Sequence, residues 1–445
     1  MVYDFHIFEK EKRMPDIRIS KEHTYFEKNG KPFFLLCDTV WMAFQKLSLK
    51  EWRELVRFRK EQGFDALQIS VLPIAHDNSV GEDSVEPFCM KDGKYDFDHI
   101  NEVYFDRAEK MLRVMQEYDM IPFLHLFWVN YIPETWAAAK SPDTVIPFDR
   151  IEGLTRYFLK RFDQYQPIYS VSGDTGFETE TVVKYYQKIL DVMYENHAER
   201  LTTFHLQPEA DPPSVLCEHP QYQFYSYQSG HGAGVDGCGN PGPDQNSMLV
   251  FSRQFLEKKA KKPVMNTEIC YEGHGYGFSY GRFYPADVRK AVWRSILSGA
   301  SAGVTYGAHG LWQFYESDAL FNNAEFSRMP YAWQTALRFP GASDAAFAKW
   351  IFEKYALWEL CEFRTLDNYG GQVQQGCAKD KTVIYLPYND DVVLEGDFSD
   401  YRFEAIGLES RQVMHPLVRG KKDETVILKT SLNEDILILG VRDNF

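Results

Sequence analysis

Cysteine is scarce and scattered. Cys37, Cys89, Cys217, Cys238, Cys270, Cys361 and Cys377 are odd in number, and no Cys-x-x-Cys occurs. A disulfide framework and a cysteine zinc site are both disfavoured by that pattern. Long apolar runs are missing too: no stretch reaches the ~18 residues that a membrane-spanning helix needs. The opening Met1-Val2-Tyr3-Asp4-Phe5-His6 has no basic head followed by an apolar run, so it does not read as a signal peptide. The expectation is a cytoplasmic protein with no membrane partner. Basic residues are the minority, 49 against 64 acidic ones, for a net charge of −15. Such a surface repels nucleic acid and anionic lipid. Neither His-x-His nor His-Glu-x-x-His occurs, so a hydrolytic metal centre has no motif to stand on, and no metal is expected.

What is present is a long chain with a large potential core. It has 445 residues, 44% of them hydrophobic. Aromatic residues reach 16%, with 27 Tyr and 9 Trp. These rings fill cores, and they also line sites where an apolar face must be covered while a polar tip stays wet.

Short apolar runs alternate with helical patterns. Strands are predicted at 33–37, 66–72, 121–126, 168–172, 201–206, 223–228, 263–267 and 303–306. Helices are predicted at 48–62, 106–118, 151–162, 181–195, 249–258 and 285–298. Ser48 reads as a cap and Gly63 as a stop. Eight buried strands alternating with helices predict an α/β fold, a (β/α)₈ barrel, with a doubly wound sheet as the competitor. After about Leu360 the helical period vanishes. Short strands around 382–387, 401–405, 425–428 and 436–439 predict a small antiparallel β-domain. The division expected is a barrel over 1–360 and a β-sandwich-like domain over 361–445. Gly232-Ala233-Gly234-Val235-Asp236-Gly237 fits a dinucleotide fingerprint in form only. It runs into Pro241-Gly242-Pro243, which cannot open a helix, so it reads as a glycine-rich loop.

Barrel chemistry sits at the carboxyl ends of the strands. Asp38, His76, Asp77, His125, Asp174, His205, His231, Glu268, Glu272 and His309 all fall there. Asp174 ends the fourth predicted strand and Glu268 the seventh. Those strands face each other across a barrel mouth, so the two carboxyl groups can flank one sugar. One protonated and one ionised carboxyl group is what cleavage of a glycosidic bond requires. Each could instead be a helix cap or a surface carboxylate, and position alone does not decide.

The run Asn29-Gly30-Lys31-Pro32-Phe33-Phe34-Leu35-Leu36-Cys37-Asp38-Thr39-Val40-Trp41 resembles the opening of the apiosidase-like glycoside hydrolases, family 140 and its relatives. Gly173-Asp174, Tyr227-Gln228-Ser229-Gly230-His231, Lys262-Pro263-Val264 through Glu268, Tyr271-Glu272-Gly273, Thr305 through Gln313, and Phe339-Pro340-Gly341-Ala342 follow in the family's order. The resemblance implies a retaining barrel glycosidase with Asp174 as acid/base and Glu268 as nucleophile. It implies an oligosaccharide or polysaccharide substrate, with release of apiose from a pectic side chain as the family's characterised activity. An endoglucanase-like or other specificity, and a carbohydrate-binding barrel without turnover, are the alternatives. Asp38, His76, His125, His205, His231 and His309 are expected to bind sugar hydroxyls. Tyr271 is expected to orient Glu268, and Trp312 to stack under a sugar, with Trp41 and Trp128 as further candidates. This chemistry needs no cofactor.

Overall fold

The computed structural model describes residues 16–77, 84–235, 241–243, 247–276, 281–321, 328–366, 372–421 and 424–443. The opening hexapeptide, Cys238 and the centre of the glycine-rich segment lie outside these residues. On either side of that centre, Ala233–Val235 pairs antiparallel with Pro241–Pro243, a hairpin and not the start of a helix.

Eight parallel strands form one sheet. They are β1 (Leu35–Thr39), β2 (Ala66–Ser70), β3 (Ile121–Trp128), β4 (Ile168–Gly173), β5 (Thr202–Thr203), β6 (Tyr225–Gln228), β7 (Val264–Glu268) and β8 (Gly303–Tyr306). The backbone ladders run in the order β5-β4-β3-β2-β1-β8-β7-β6. Sequential neighbours with the eighth strand returning beside the first is the order of a (β/α)₈ barrel. No ladder joins β5 to β6. Side chains lace that seam instead. Thr203 Oγ1 donates to Phe224 O at 2.8 Å, Ser226 Oγ to Phe204 O, and Gln228 Nε2 to Leu206 O at 2.9 Å. One backbone bond, Gln223 N to Thr202 O at 2.9 Å, joins them.

The helices of the outer layer are α1 (Leu49–Glu61), α2 (Glu102–Glu117), α3 (Phe148–Phe162), α4 (Glu180–His197), α5 (Ser247–Leu256), α6 (Pro285–Ile296) and α7 (Gly341–Lys354). Ser48 caps α1 in a reciprocal box. Its hydroxyl accepts from Glu51 N, and the Glu51 carboxylate accepts from Ser48 N. Strand alternation sorts the core. Leu35, Cys37, Ile121, Phe123 and Met265 point into the barrel, where Phe26 and Phe33 of an N-terminal hairpin close the bottom. Leu36, Leu67, Leu124 and Val304 point outward against the helices.

From Glu362 the chain turns antiparallel, in β9 (Glu362–Thr365), β10 (Gln374–Cys377), β11 (Lys381–Leu386), β12 (Val392–Glu395), β13 (Tyr401–Gly407), β14 (Val413–Met414), β15 (Val418–Lys421), β16 (Glu424–Ile427) and β17 (Ile436–Arg442). Six of them form one sheet and β12, β16 and β15 a second. The period of two gives the larger sheet two apolar faces. Val383, Tyr385, Leu437 and Leu439 join the cluster of the barrel helices, while Ile384, Leu386, Ile436 and Ile438 face the smaller sheet. Charge fastens the same junction. Arg289 of α6 donates from Nε to Asp435 at 3.0 Å and from Nη1 to Asp344 of α7 at 3.0 Å, and Arg411 also reaches Asp344. Among the described residues, no helix is long and apolar enough to cross a membrane.

Candidate active site

A cleft of about 490 Å³ opens at the carboxyl ends of the strands. Trp41, His76, Trp128, Asp174, His205, His231, Glu268, Tyr271 and Trp312 line it, together with Ile74, Trp136, Gln207, Pro208, Gln228, Gly232 and His274.

Glu268 is the last residue of β7 and is only 7% exposed. His231 Nε2 lies 2.9 Å from its Oε1, and His205 Nε2 lies 3.3 Å from its Oε2. Burial alone pushes its pKa up. Hydrogen bonds from the two imidazoles lead the effects that outweigh burial and hold it well below the ordinary carboxylate range. Glu268 is therefore ionised at neutral pH. The Tyr271 ring packs on His231, and Trp41 Nε1 donates to the Tyr271 hydroxyl at 3.0 Å. Burial first, then the charge and hydrogen bond of Glu268, push that phenol well above its usual pKa, so it stays neutral.

Asp174 stands where β4 breaks. Its φ is +59°, in the left-handed region. Pairing resumes at Thr175 opposite Leu206. The break is bulge-like, and such breaks re-aim side chains beside active sites. Gln228 Nε2 donates to Asp174 Oδ1 at 2.9 Å, and His76 Nε2 lies 3.4 Å from Oδ2. The Trp136 indole donates to the Asp174 carbonyl at 3.3 Å. Gly173 is needed for packing. A Cβ there would come within 1.9 Å of the Trp128 ring, so glycine lets the indole lie against the strand beside the acid. Gly307 plays the same part for Tyr271, whose ring would lie 2.1 Å from a Cβ.

Three expected substrate contacts are corrected by their placement. Asp38 is fully buried and points outward from β1, where Arg59 Nε of α1 donates to it at 2.5 Å. His125 points inward but lies beneath the cleft floor, bonded to Ser172 O at 3.2 Å and Gln68 Oε1 at 3.1 Å. His309 is buried with Nε2 on Arg328 O at 2.7 Å, while its Nδ1 accepts from Trp312 Nε1 at 3.3 Å. Four polar or aromatic cleft residues were not among the expected site residues: Gln228, His274, Trp136 and Gln207. Gln228 ends its strand as Glu268 does, and that position could have found it. His274 lies on a loop, and Trp136 opens a helix of five residues, Trp136–Lys140, too short for a period to mark it. Glu272, four residues past Glu268, turns away from the cleft. Its Oε2 accepts from Tyr306 OH at 2.7 Å and from Gly341 N at 2.9 Å. Among the described residues, no three His, Cys, Asp or Glu side chains are grouped to hold a metal ion.

A barrel with two carboxyl groups across an aromatic cleft has the form of a glycoside hydrolase, and comparison with known proteins agrees. The chain belongs to the apiosidase-like family, whose catalytic-domain model matches residues 20–359. It is a glycoside hydrolase, and its substrate is a carbohydrate. A solved structure described as a glycoside hydrolase superposes with a TM-score of 0.76 at 18% identity, covering 97% of both chains. A glycoside hydrolase family 5 protein from Bacteroides vulgatus ATCC 8482 gives 0.75 at 17% identity, covering 97% of this chain and 94% of its own. At such identities the likeness speaks for the fold. A search of curated proteins finds no match.

Proposed function

We propose that this enzyme is a retaining glycosidase, with Glu268 as nucleophile and Asp174 as acid/base. The observation that carries the reading is the unlike setting of two carboxyl groups in one cleft. Glu268 is held ionised between two imidazoles. Asp174 is aimed into the cleft by a left-handed residue and gripped by an amide. In the first step the Glu268 carboxylate attacks the anomeric carbon as the glycosidic C–O bond breaks, and Asp174 gives its proton to the departing oxygen. In the second step water attacks the same carbon, Asp174 takes a proton from it, and the bond to Glu268 breaks. Trp41, Trp128 and Trp312 offer apolar faces to the sugar rings. The family's name makes an apiose-bearing pectic oligosaccharide the first substrate to test, followed by a panel of aryl glycosides.

Product analysis by NMR should show the first-formed sugar with the anomeric configuration of the substrate. Glu268→Gln should lose about 10³-fold or more in kcat with the fold intact by circular dichroism. An inverted product refutes the retaining route. Near-normal turnover by the variant refutes the choice of nucleophile, and binding without hydrolysis on every glycoside refutes catalysis.

A further inference from the structure

Three imidazoles stack in a row that ends on Glu268. His309 meets His274 edge to face at 4.6 Å, His274 stacks on His231 at 4.2 Å, and His231 reaches the carboxylate at 2.9 Å. Backbone groups fix which nitrogen of each ring carries the proton. Tyr271 N donates to His231 Nδ1 at 3.2 Å, so the His231 proton sits on Nε2 and points at Glu268. Arg328 O accepts from His309 Nε2, and the Trp312 indole donates to His309 Nδ1, so both His309 nitrogens are used. His274 differs. Its Nδ1 lies 2.6 Å from Gly275 O, a group that can only accept, so its proton sits there. Nε2 is left as a bare lone pair.

The ring of His274 lines the cleft, although the residue is only 5% exposed. Among the described residues, nothing donates to Nε2. Burial first, then the neighbouring His231 and His309, keep the His274 pKa well below the usual histidine value. The ring therefore stays an acceptor across the neutral range. A buried acceptor facing a site needs a donor when ligand displaces water. Sugar hydroxyls are the donors a carbohydrate brings.

We infer that His274 is a specificity-determining residue whose Nε2 accepts a hydrogen bond from one hydroxyl of the sugar held beside Glu268. This rests on the glycosidase reading of the cleft. The sugar must be free at that hydroxyl: a deoxy, O-methyl or O-acetyl group there leaves the lone pair without a donor.

The test takes the aryl glycoside that the full-length enzyme cleaves fastest, together with its monodeoxy analogues. One analogue should lose about tenfold or more in kcat/KM with the wild type. His274→Ala should lose a similar factor on the parent glycoside and lose little further on that analogue. His274→Gln, whose Oε1 can accept near the position of Nε2, should restore part of the discrimination. Equal losses by His274→Ala on the parent and every analogue would give the ring a structural role and overturn the inference. So would an unchanged rate. Failure of the glycosidase reading looks different: the wild type cleaves no glycoside, or Glu268→Gln retains turnover.

Discussion

Replacing Glu272 by glutamine should stabilise the enzyme, and the gain should depend on pH. Burial drives the Glu272 carboxyl from 4.5 up to about 7, against the bonds from Tyr306 and Gly341 that favour its charged form. Its folded pKa thus lies above its unfolded one, and ionisation is harder in the native state. That penalty is absent below about pH 4.5, grows between pH 4.5 and 7, and is complete above. A shift of that size is worth about 3 kcal/mol at pH 8 and about 1 kcal/mol at pH 5, both upper estimates. A glutamine keeps an oxygen for both donors and carries no charge. Glu272→Gln should therefore unfold at higher urea concentration than the wild type at pH 8, with a gap at pH 5 less than half as large in free energy. Urea unfolding followed by tryptophan fluorescence at the two pH values measures this. A gap independent of pH, or a variant less stable than the wild type at pH 8, would refute the reasoning.

Three other outcomes are expected. Asp174→Asn should slow cleavage of glycosides with poor leaving groups by about 10²–10⁴, yet slow dinitrophenyl glycosides far less; equal losses on both would remove Asp174 from the role of acid. Gly173→Ala drives a Cβ into the Trp128 ring, so it should cost about 1–3 kcal/mol of stability and more than about tenfold in kcat/KM through the displaced acid; a variant with unchanged melting and kinetics would contradict the packing described. Arg289→Met leaves Asp435 buried without its cationic partner and Asp344 with Arg411 alone, and should cost about 3–5 kcal/mol. Limited proteolysis should then cut within residues 361–445 sooner than in the wild type; an unchanged digestion pattern would show that charge does not fasten that junction.

Periodicity made most of the frame legible. The capping box at Ser48 and Glu51 is local chemistry, and the helix it starts runs as the apolar spacing predicts. Among the predicted barrel strands the largest departure is at 201–206, where only Thr202–Thr203 form a strand. There Ser172 Oγ donates to His205 O and accepts from His205 N, taking the place of a backbone partner. No apolar pattern encodes a hydroxyl standing in for a peptide. The rule that barrel sites lie at strand ends finds the height of a residue, and side-chain parity finds its direction where a strand stays regular; it fails at β7, where Met265 points inward and the register shifts before Glu268. Leu35 and Cys37 point inward, so Asp38 must point outward, and that alternation was readable. His125 had the right parity, but indoles just past the end of β1 and at the end of β3 lie against it. Trp41 meets its ring at 4.7 Å and closes it off from the cleft.

The laced seam between β5 and β6 has a mechanical consequence. A hoop stretches first at its buckle, and this buckle is built from side chains. Each of its sides braces a carboxyl group of the cleft: His205, next to β5, faces Glu268, while Gln228, the end of β6, grips Asp174 and ties back to Leu206 O. Any widening of the gap pulls the support of one carboxyl group away from the support of the other. Gln228 is thus a tie rod for the barrel and a clamp for Asp174 at once.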